Sequence, residues 1–102
     1  SDTMEAFRVA KQYCVNVLSQ DQKALSGRYA KKNEHALHAD DYTMGESGLP
    51  VLKHCLASFE CEMDARHDGG DHIILVGRVT HMSVATGGRP LVFYEGGYRE
   101  LA

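Results

Sequence analysis

From Ala57 to Ala65 apolar and polar residues alternate without a break. Ala57, Phe59, Cys61, Met63 and Ala65 fall on one side, and Ser58, Glu60, Glu62 and Asp64 on the other. A period of two belongs to an extended strand with one face in a core and one in water, so residues 56–65 are predicted to form a half-buried strand. Residues 72–84, "HIILVGRVTHMSV", read as a second, longer strand rich in Ile and Val. The turn glycines Gly69 and Gly70 in the intervening "HDGGD" join the two as a hairpin. Upstream, "YCVNVLS", 13–19, reads as a strand interrupted only by Asn16, which is expected to act as a structural hydrogen-bonding residue at a strand edge. Downstream, "ATGGRP", 85–90, is a turn, "LVFYE", 91–95, another strand, and "GGYRELA" closes the chain.

Two segments change to helical spacing. In residues 2–12 Met4, Phe7 and Ala10 recur every three residues, with Asp2 or Thr3 as cap and Glu5 at the positive end. Residues 21–32 form a second short helix capped by Ser19 or Asp21. Ala24, Leu25 and Tyr29 point inward, Lys23, Lys31 and Lys32 outward, and Gly27 weakens it. Residues 33–50 keep no period, and Gly45, Gly48 and Pro50 predict a long loop. The order is helix, strand, helix, loop and three strands. Antiparallel β-structure dominates, and four clear strands are too few to close a barrel.

Composition narrows the class. The 102 residues suffice for one small domain, whose core gains from oligomerisation. Apolar residues at 43% and charged residues at 25% are globular values. A net charge of -3 argues against non-specific nucleic-acid binding. The charge is uneven: residues 1–34 hold six Lys/Arg against four Asp/Glu, residues 35–71 two against eight. Cys14, Cys55 and Cys61 make no C-x-x-C pair, which predicts reduced thiols in a cytoplasm. No apolar run reaches the roughly 18 residues of a membrane span.

The most concentrated chemistry is His67-Asp68-Gly69-Gly70-Asp71-His72. Its ligand types suit a metal, but the spacing matches no strong zinc pattern, and the pair His35 and His38 lies in irregular sequence. Neither "HDGGDH" nor "ATGGRP" carries the dinucleotide-binding glycine fingerprint. Ser58, Ser83 and Cys61 lack a nucleophile's context, and Cys61 reads as a buried, inert thiol. A polar turn with Asp68 and Asp71 as caps explains the stretch most simply. His72 keeps a second possibility. At the start of a strand it can face a cleft, as a proton donor or a partner for a negative ligand.

Four stretches together carry a resemblance: "QYCVNVLSQDQKALSGRYA", "LPVLKHCLASFECEM", "HDGGDHIILVGRV" and "RPLVFYEGGYREL". Their order and spacing from Ser1 to about Leu101 resemble the flavin reductase-like FMN-binding split-barrel family. The resemblance implies a mainly β fold with helices, an antiparallel split β-barrel. It further implies a homodimer that uses NADH or NADPH to reduce FMN or FAD, and a separate flavin-dependent oxygenase as partner. The family pattern begins roughly 50 residues earlier, with strands that carry many flavin contacts. Residues 1–102 are therefore expected to be the C-terminal portion of the domain, incomplete at the N-terminus.

Position by position, the resemblance places Asp2, Thr3 and Met4 at a helix start near the flavin, where amides favour an anion. It places Ala36 and Leu37 at a "KF" pair near the flavin. His72 matches a histidine beside the nicotinamide and is the expected catalytic residue. Phe93, Tyr94, Glu95 and Gly96 match the "FYRG" border of the dinucleotide site. No metal is implied. Asp2, Ala36 and Glu95 each stand where the pattern has a basic residue. The alternative expectation is a truncated, non-catalytic binding or oligomerisation module.

Overall fold

The computed structural model of the chain describes residues 2–31 and 36–101, without the side chains of Asp2 and Thr3. Helix α1 spans Asp2–Val9 and is followed by strand β1, Gln12–Val17. The expected helix to residue 12 is shorter because β1 pairing captures its end: Lys11 O accepts from Met63 N at 2.9 Å, and Gln12 pairs with Glu62. A 3-10 turn, Gln20–Gln22, leads into α2, Lys23–Ala30. Ser19 caps this segment, its N–H donating to Gln22 Oε1 at 2.9 Å. Leu25 and Tyr29 are half-buried as expected; Ala24 is exposed.

The expected loop is not structureless. It contains a 3-10 turn, Ala39–Asp41, and the short strand β2, Tyr42–Met44, which pairs with β3, Pro50–Leu52. Three-residue strands are too short to establish a period, so the alternation rule passes over them.

Strand β4 runs from Ala57 to Gly69 and β5 from His72 to Val84. Thus β4 continues four residues beyond the expected end, through His67 and Asp68. The turn is Gly70-Asp71 alone, closed by Gly69 opposite His72. Gly70 takes φ 74°, as a glycine at the first central position of a primed hairpin turn does; Gly69 stays in the strand. The hairpin joins β1 in a sheet of order β1-β4-β5, all antiparallel. The last expected strand is a second small hairpin, β6 (Val92–Tyr94) with β7 (Gly97–Arg99), turning through Glu95-Gly96. Seven strands are present among the described residues, and their three separate sheets close no barrel.

Directly paired residues share a face, which sorts the main sheet into two surfaces. Val17, Ala57 and Val84 share one with Val15, Phe59 and Met82, and with Tyr13, Cys61 and Val79. Asn16, Ser58 and Ser83 share the other with Cys14, Glu60 and His81. The expectation of an apolar inner face and a wet polar face holds from Cys61 to Ala65, where Glu62 and Asp64 are exposed, and is overturned at the other end of the strand. Ser58 is 4% and Glu60 8% exposed, whereas Val84 is 66% and Met82 60% exposed. The β2–β3 hairpin lies over the polar face: Leu52 N donates to Asn16 Oδ1 at 3.4 Å, and Ser47 N to Glu60 Oε1 at 3.0 Å. Cys61 is buried on the apolar face, as its strand position predicts.

Candidate functional site

The structure separates the expected site residues into three groups. Helix α1 is tied to the hairpin half of the sheet: Arg66 Nε donates to Phe7 O at 2.9 Å, and the same guanidinium reaches Ala10 O. His72 stands at the hairpin tip with its side chain 78% exposed and its Nδ1 against the Asp71 carboxylate. Asp2 and Thr3 lie outside the described side chains. Met4 is half-buried on α1 and takes a contact from Arg8.

Phe93, Tyr94, Glu95 and Gly96 belong to the opposite end. Leu91 N donates to Leu18 O at 3.0 Å and Tyr98 Oη to Ser26 Oγ at 2.9 Å, which fixes the β6–β7 hairpin beside α2. Phe93 packs edge-to-face on Tyr98 and stays largely exposed, as does Tyr94. Glu95 and Gly96 both adopt positive φ, 49° and 78°, the pattern of a type I′ turn. Strand β5 starts at His72 and runs its thirteen residues, roughly 40 Å of strand contour, to Val84 at this end. One chain therefore does not bring His72 to Phe93 and Tyr94.

Leu37 does join a cavity, of about 320 Å³, with Cys14, Asn16, Tyr29, Leu49, Pro50 and Leu52; Ala36 is exposed beside it. Each wall has a local cause. Asn16 interrupts the Val-rich β1 on the polar face, and its Oδ1 accepts from Ser58 Oγ at 2.8 Å and from Leu52 N. Leu52 N–H can only donate, so the oxygen must face it, and the Asn16 amide N–H groups remain as donors on this wall. Tyr29 is fixed by its hydroxyl, which donates to Asp41 Oδ2 at 2.5 Å and accepts from His38 N at 3.0 Å. That hydroxyl, with Arg28 at 2.7 Å, holds the Asp41 carboxyl below its ordinary pKa. Cys14 is pushed up by burial, with the Glu60 carboxylate adding to the rise, so it faces the cavity as a neutral thiol.

Apolar walls with a few fixed donors suit a flat aromatic ring with a polar edge, and a flavin fits that description. The residues the structure adds to the sequence reading are Cys14, Asn16, Tyr29, Leu49, Pro50 and Leu52. The polar break in an apolar strand marks Asn16; nothing local marks the other five. A larger cavity of about 530 Å³ lies among Asp21, Gln22, Asp40, Asp41, Lys53 and His54. No three His, Cys, Asp or Glu side chains converge on a metal position among the described residues, so His67, Asp68, Asp71 and His72 form no ligand set.

The architecture is that of an antiparallel β domain with a mainly apolar cavity against β1. A family profile described as "Flavin reductase like domain" matches residues 1–102, and the chain belongs to that family. "FMN reductase (NADH) SmoA" of Agrobacterium fabrum is 40% identical over 93 residues, covering 91% of this chain and 52% of the relative. "Flavin-dependent monooxygenase, reductase subunit HsaB" of Rhodococcus jostii is 37% identical over 86 residues, covering 84% and 44%. The chain spans about half the length of the curated relatives it matches. The solved structure "Flavin reductase PheA2 in native state" superposes with a TM-score of 0.83 at 38% identity, covering all of this chain and 65% of that one. Streptomyces globisporus SgcE6 gives 0.90 at 24% identity, a likeness of fold alone. The fold class expected from the resemblance, that of the antiparallel split-barrel flavin reductases, agrees with these neighbours.

Proposed function

We propose that residues 1–102 act as the C-terminal portion of a flavin reductase-like domain that binds FMN or FAD and supplies reduced flavin to a partner monooxygenase. The observation that carries this reading is the family match along the whole chain, with Leu37 in the wall of an apolar cavity. When bound, the flavin accepts a hydride from NADH or NADPH. The protein's part is to hold and orient the two rings. In this reading Leu37 and Ala36 border the flavin, with Asp2, Thr3 and Met4 toward its phosphate. His72 is the catalytic residue beside the nicotinamide, and Phe93, Tyr94, Glu95 and Gly96 border the dinucleotide.

His72 and the Phe93–Gly96 turn lie at opposite ends of the sheet, so the complete site is assembled from two copies, a homodimer. The exposed apolar face formed by Val15, Val17, Met82 and Val84 supports such an assembly. The three cysteines are free thiols, in keeping with a reducing cytoplasm. No helix among the described residues is long and apolar enough to cross a membrane.

Titrating FMN into the purified chain while following flavin fluorescence tests the reading. A saturable change is expected, together with NADH oxidation that falls in His72→Ala. No saturable change at high micromolar FMN would remove the enzyme reading for this chain and leave a non-catalytic module. Equal rates in His72→Ala would take His72 out of the mechanism.

A further inference from the structure

The polar face of the sheet holds a buried carboxylate that the flavin reading does not use. Glu60 lies on β4 under the turn between β2 and β3. Its Oε1 accepts from Ser47 N at 3.0 Å and from Ser47 Oγ. Ser47 ties the same turn to two further places: its Oγ accepts from Leu49 N at 3.4 Å, and its carbonyl from Gln12 Nε2 at 3.3 Å. The turn closes on itself through Gly45 N to Leu49 O at 2.7 Å and Gly48 N to Gly45 O at 3.0 Å. Gly45 is packed so closely on Glu60 that a Cβ there would fall well inside contact distance of the carboxylate. The turn and the carboxylate are thus fitted to each other.

The charged surroundings are few. His81 sits opposite Glu60 on β5 and pairs through Nε2 with Glu46 Oε2 at 3.0 Å. Cys14 sits opposite it on β1. Bonds from Ser47 hold the Glu60 carboxyl below its ordinary pKa, so it remains ionised at neutral pH. An ionised carboxylate this well covered needs its donors; Ser47 supplies the two leading ones, and the Glu46 backbone and His81 add to the hold.

Immediately after this turn the chain enters the wall of the Leu37 cavity, through Leu49, Pro50 and Leu52. That wall is pinned at one end by Leu52 N on Asn16 and at the other by Ser47 on Glu60. We propose that Glu60 is a positioning residue: through Ser47 it sets the distance of the Leu49–Pro50 wall from Asn16 and Leu37, and so the width of the slot that receives the flavin ring. The assignment of the slot rests on the functional reading above; the mechanical role of Glu60 does not.

Two measurements separate them. Amide hydrogen exchange in the full chain reports the wall directly. In Glu60→Ala the Ser47, Leu49 and Leu52 amides are expected to exchange about tenfold faster, while Cys61 and Val79 in the β4–β5 ribbon keep their protection. Glu60→Gln keeps an oxygen for both Ser47 donors and is expected to restore most of the protection. Ser47→Ala, which loses only a hydroxyl, gives a smaller change in the same amides and serves if Glu60→Ala does not fold. Unchanged exchange in these variants, or equal loosening across the ribbon, overturns the positioning role.

FMN titration then tests the slot. Glu60→Ala is expected to raise the FMN dissociation constant about tenfold, and Glu60→Gln to stay within about twofold of the parent. In Leu37→Asp, where the wall stays pinned, binding is also expected to be lost. Loss in Leu37→Asp with parental affinity in Glu60→Ala overturns the role of Glu60 in width while keeping the flavin reading. Loosened exchange in Glu60→Ala with parental affinity in Leu37→Asp removes the flavin from this cavity and keeps Glu60 as the anchor of the wall.

Discussion

On one face of the main sheet Asn16, Ser58 and Glu60 lie beneath the β2–β3 hairpin; on the other Val15, Val17, Met82 and Val84 meet solvent. The alternation in residues 57–65 identifies both faces correctly. What it does not identify is that cover changes face along the strand: the apolar side is covered from Cys61 to Ala65, the polar side at Ser58 and Glu60. An apolar row lowers the free energy of whatever covers it, but a polar row can be covered too when each donor meets an acceptor. Asn16, Ser58, Ser47 and Leu52 N meet that condition here, and no buried side-chain nitrogen or oxygen is left unpaired among the described residues. The comparison teaches that polarity patterns report a strand's two faces, whereas cover depends on whether a distant segment brings complementary groups.

The largest expected effect comes from breaking that complementarity at its centre. Asn16→Ala removes the acceptor of both Ser58 Oγ and Leu52 N. Two groups then sit under the hairpin without partners, at an expected cost of about 2–3 kcal/mol. Urea unfolding should move to a lower midpoint with little change in slope. Val15→Ala, a neighbour on the open face, should cost well under half as much. Equal losses would mean that the two faces are equally covered in solution.

The next effect uses one glycine on each face. A Cβ at Gly45 runs into Glu60, whose carboxylate is held by Ser47 and buried against the sheet. A Cβ at Gly77 runs into the hydroxyl and ring edge of Tyr13, a half-buried side chain on the apolar face, which can swing outward at the expense of its edge contact with Phe7. Gly45→Ala is expected to cost about 1–3 kcal/mol and Gly77→Ala less than about 1 kcal/mol. Thermal melts of the two variants give the ratio. A larger loss at Gly77 would show that the apolar face is the rigid one.

Acid should also act on the covered side first. The folded pKa values of Glu60 and Asp41 are lowered, chiefly by the hydroxyl-bearing partners Ser47 and Tyr29. Carboxyls lowered on folding contribute stability that is complete above their unfolded pKa and lost as pH falls through the folded one. The unfolding free energy is therefore expected to decline below about pH 5, and to decline less steeply in Tyr29→Phe and in Glu60→Gln. An unchanged slope in both variants would place the acid-sensitive groups elsewhere.

How much of this was legible in the sequence depends on the range of the interaction that decides each feature. The β4–β5 hairpin follows from thirteen-residue strands and Gly70, all local. Asn16 stands out as a polar break in an apolar strand, and its structural role follows. Glu60 is indistinguishable from Glu62 in the pattern, yet only Glu60 is buried, because Ser47, thirteen residues away, folds back onto it. The cavity around Leu37 joins residues from β1, α2 and β3, so no window of sequence contains it. The resemblance to a known family supplied Leu37, but it did not indicate that His72 and Phe93 stand at opposite ends of one chain.

The smallest effect sharpens the comparison most, because it asks what the open face is for. Val15→Thr and Val84→Thr preserve shape and add a hydroxyl on the exposed row. In water such a hydroxyl is solvated, and each change is expected to cost no more than about 0.5 kcal/mol in dilute protein. If two copies cover this face, the hydroxyl loses its water on association and costs about 1–3 kcal/mol there. The penalty then belongs to the dimer and grows with protein concentration, since association and folding are linked by mass action. Melting temperatures of parent and variant across a hundredfold range of concentration are expected to diverge as concentration rises. Parallel curves would leave this face open and count against an association of copies through it.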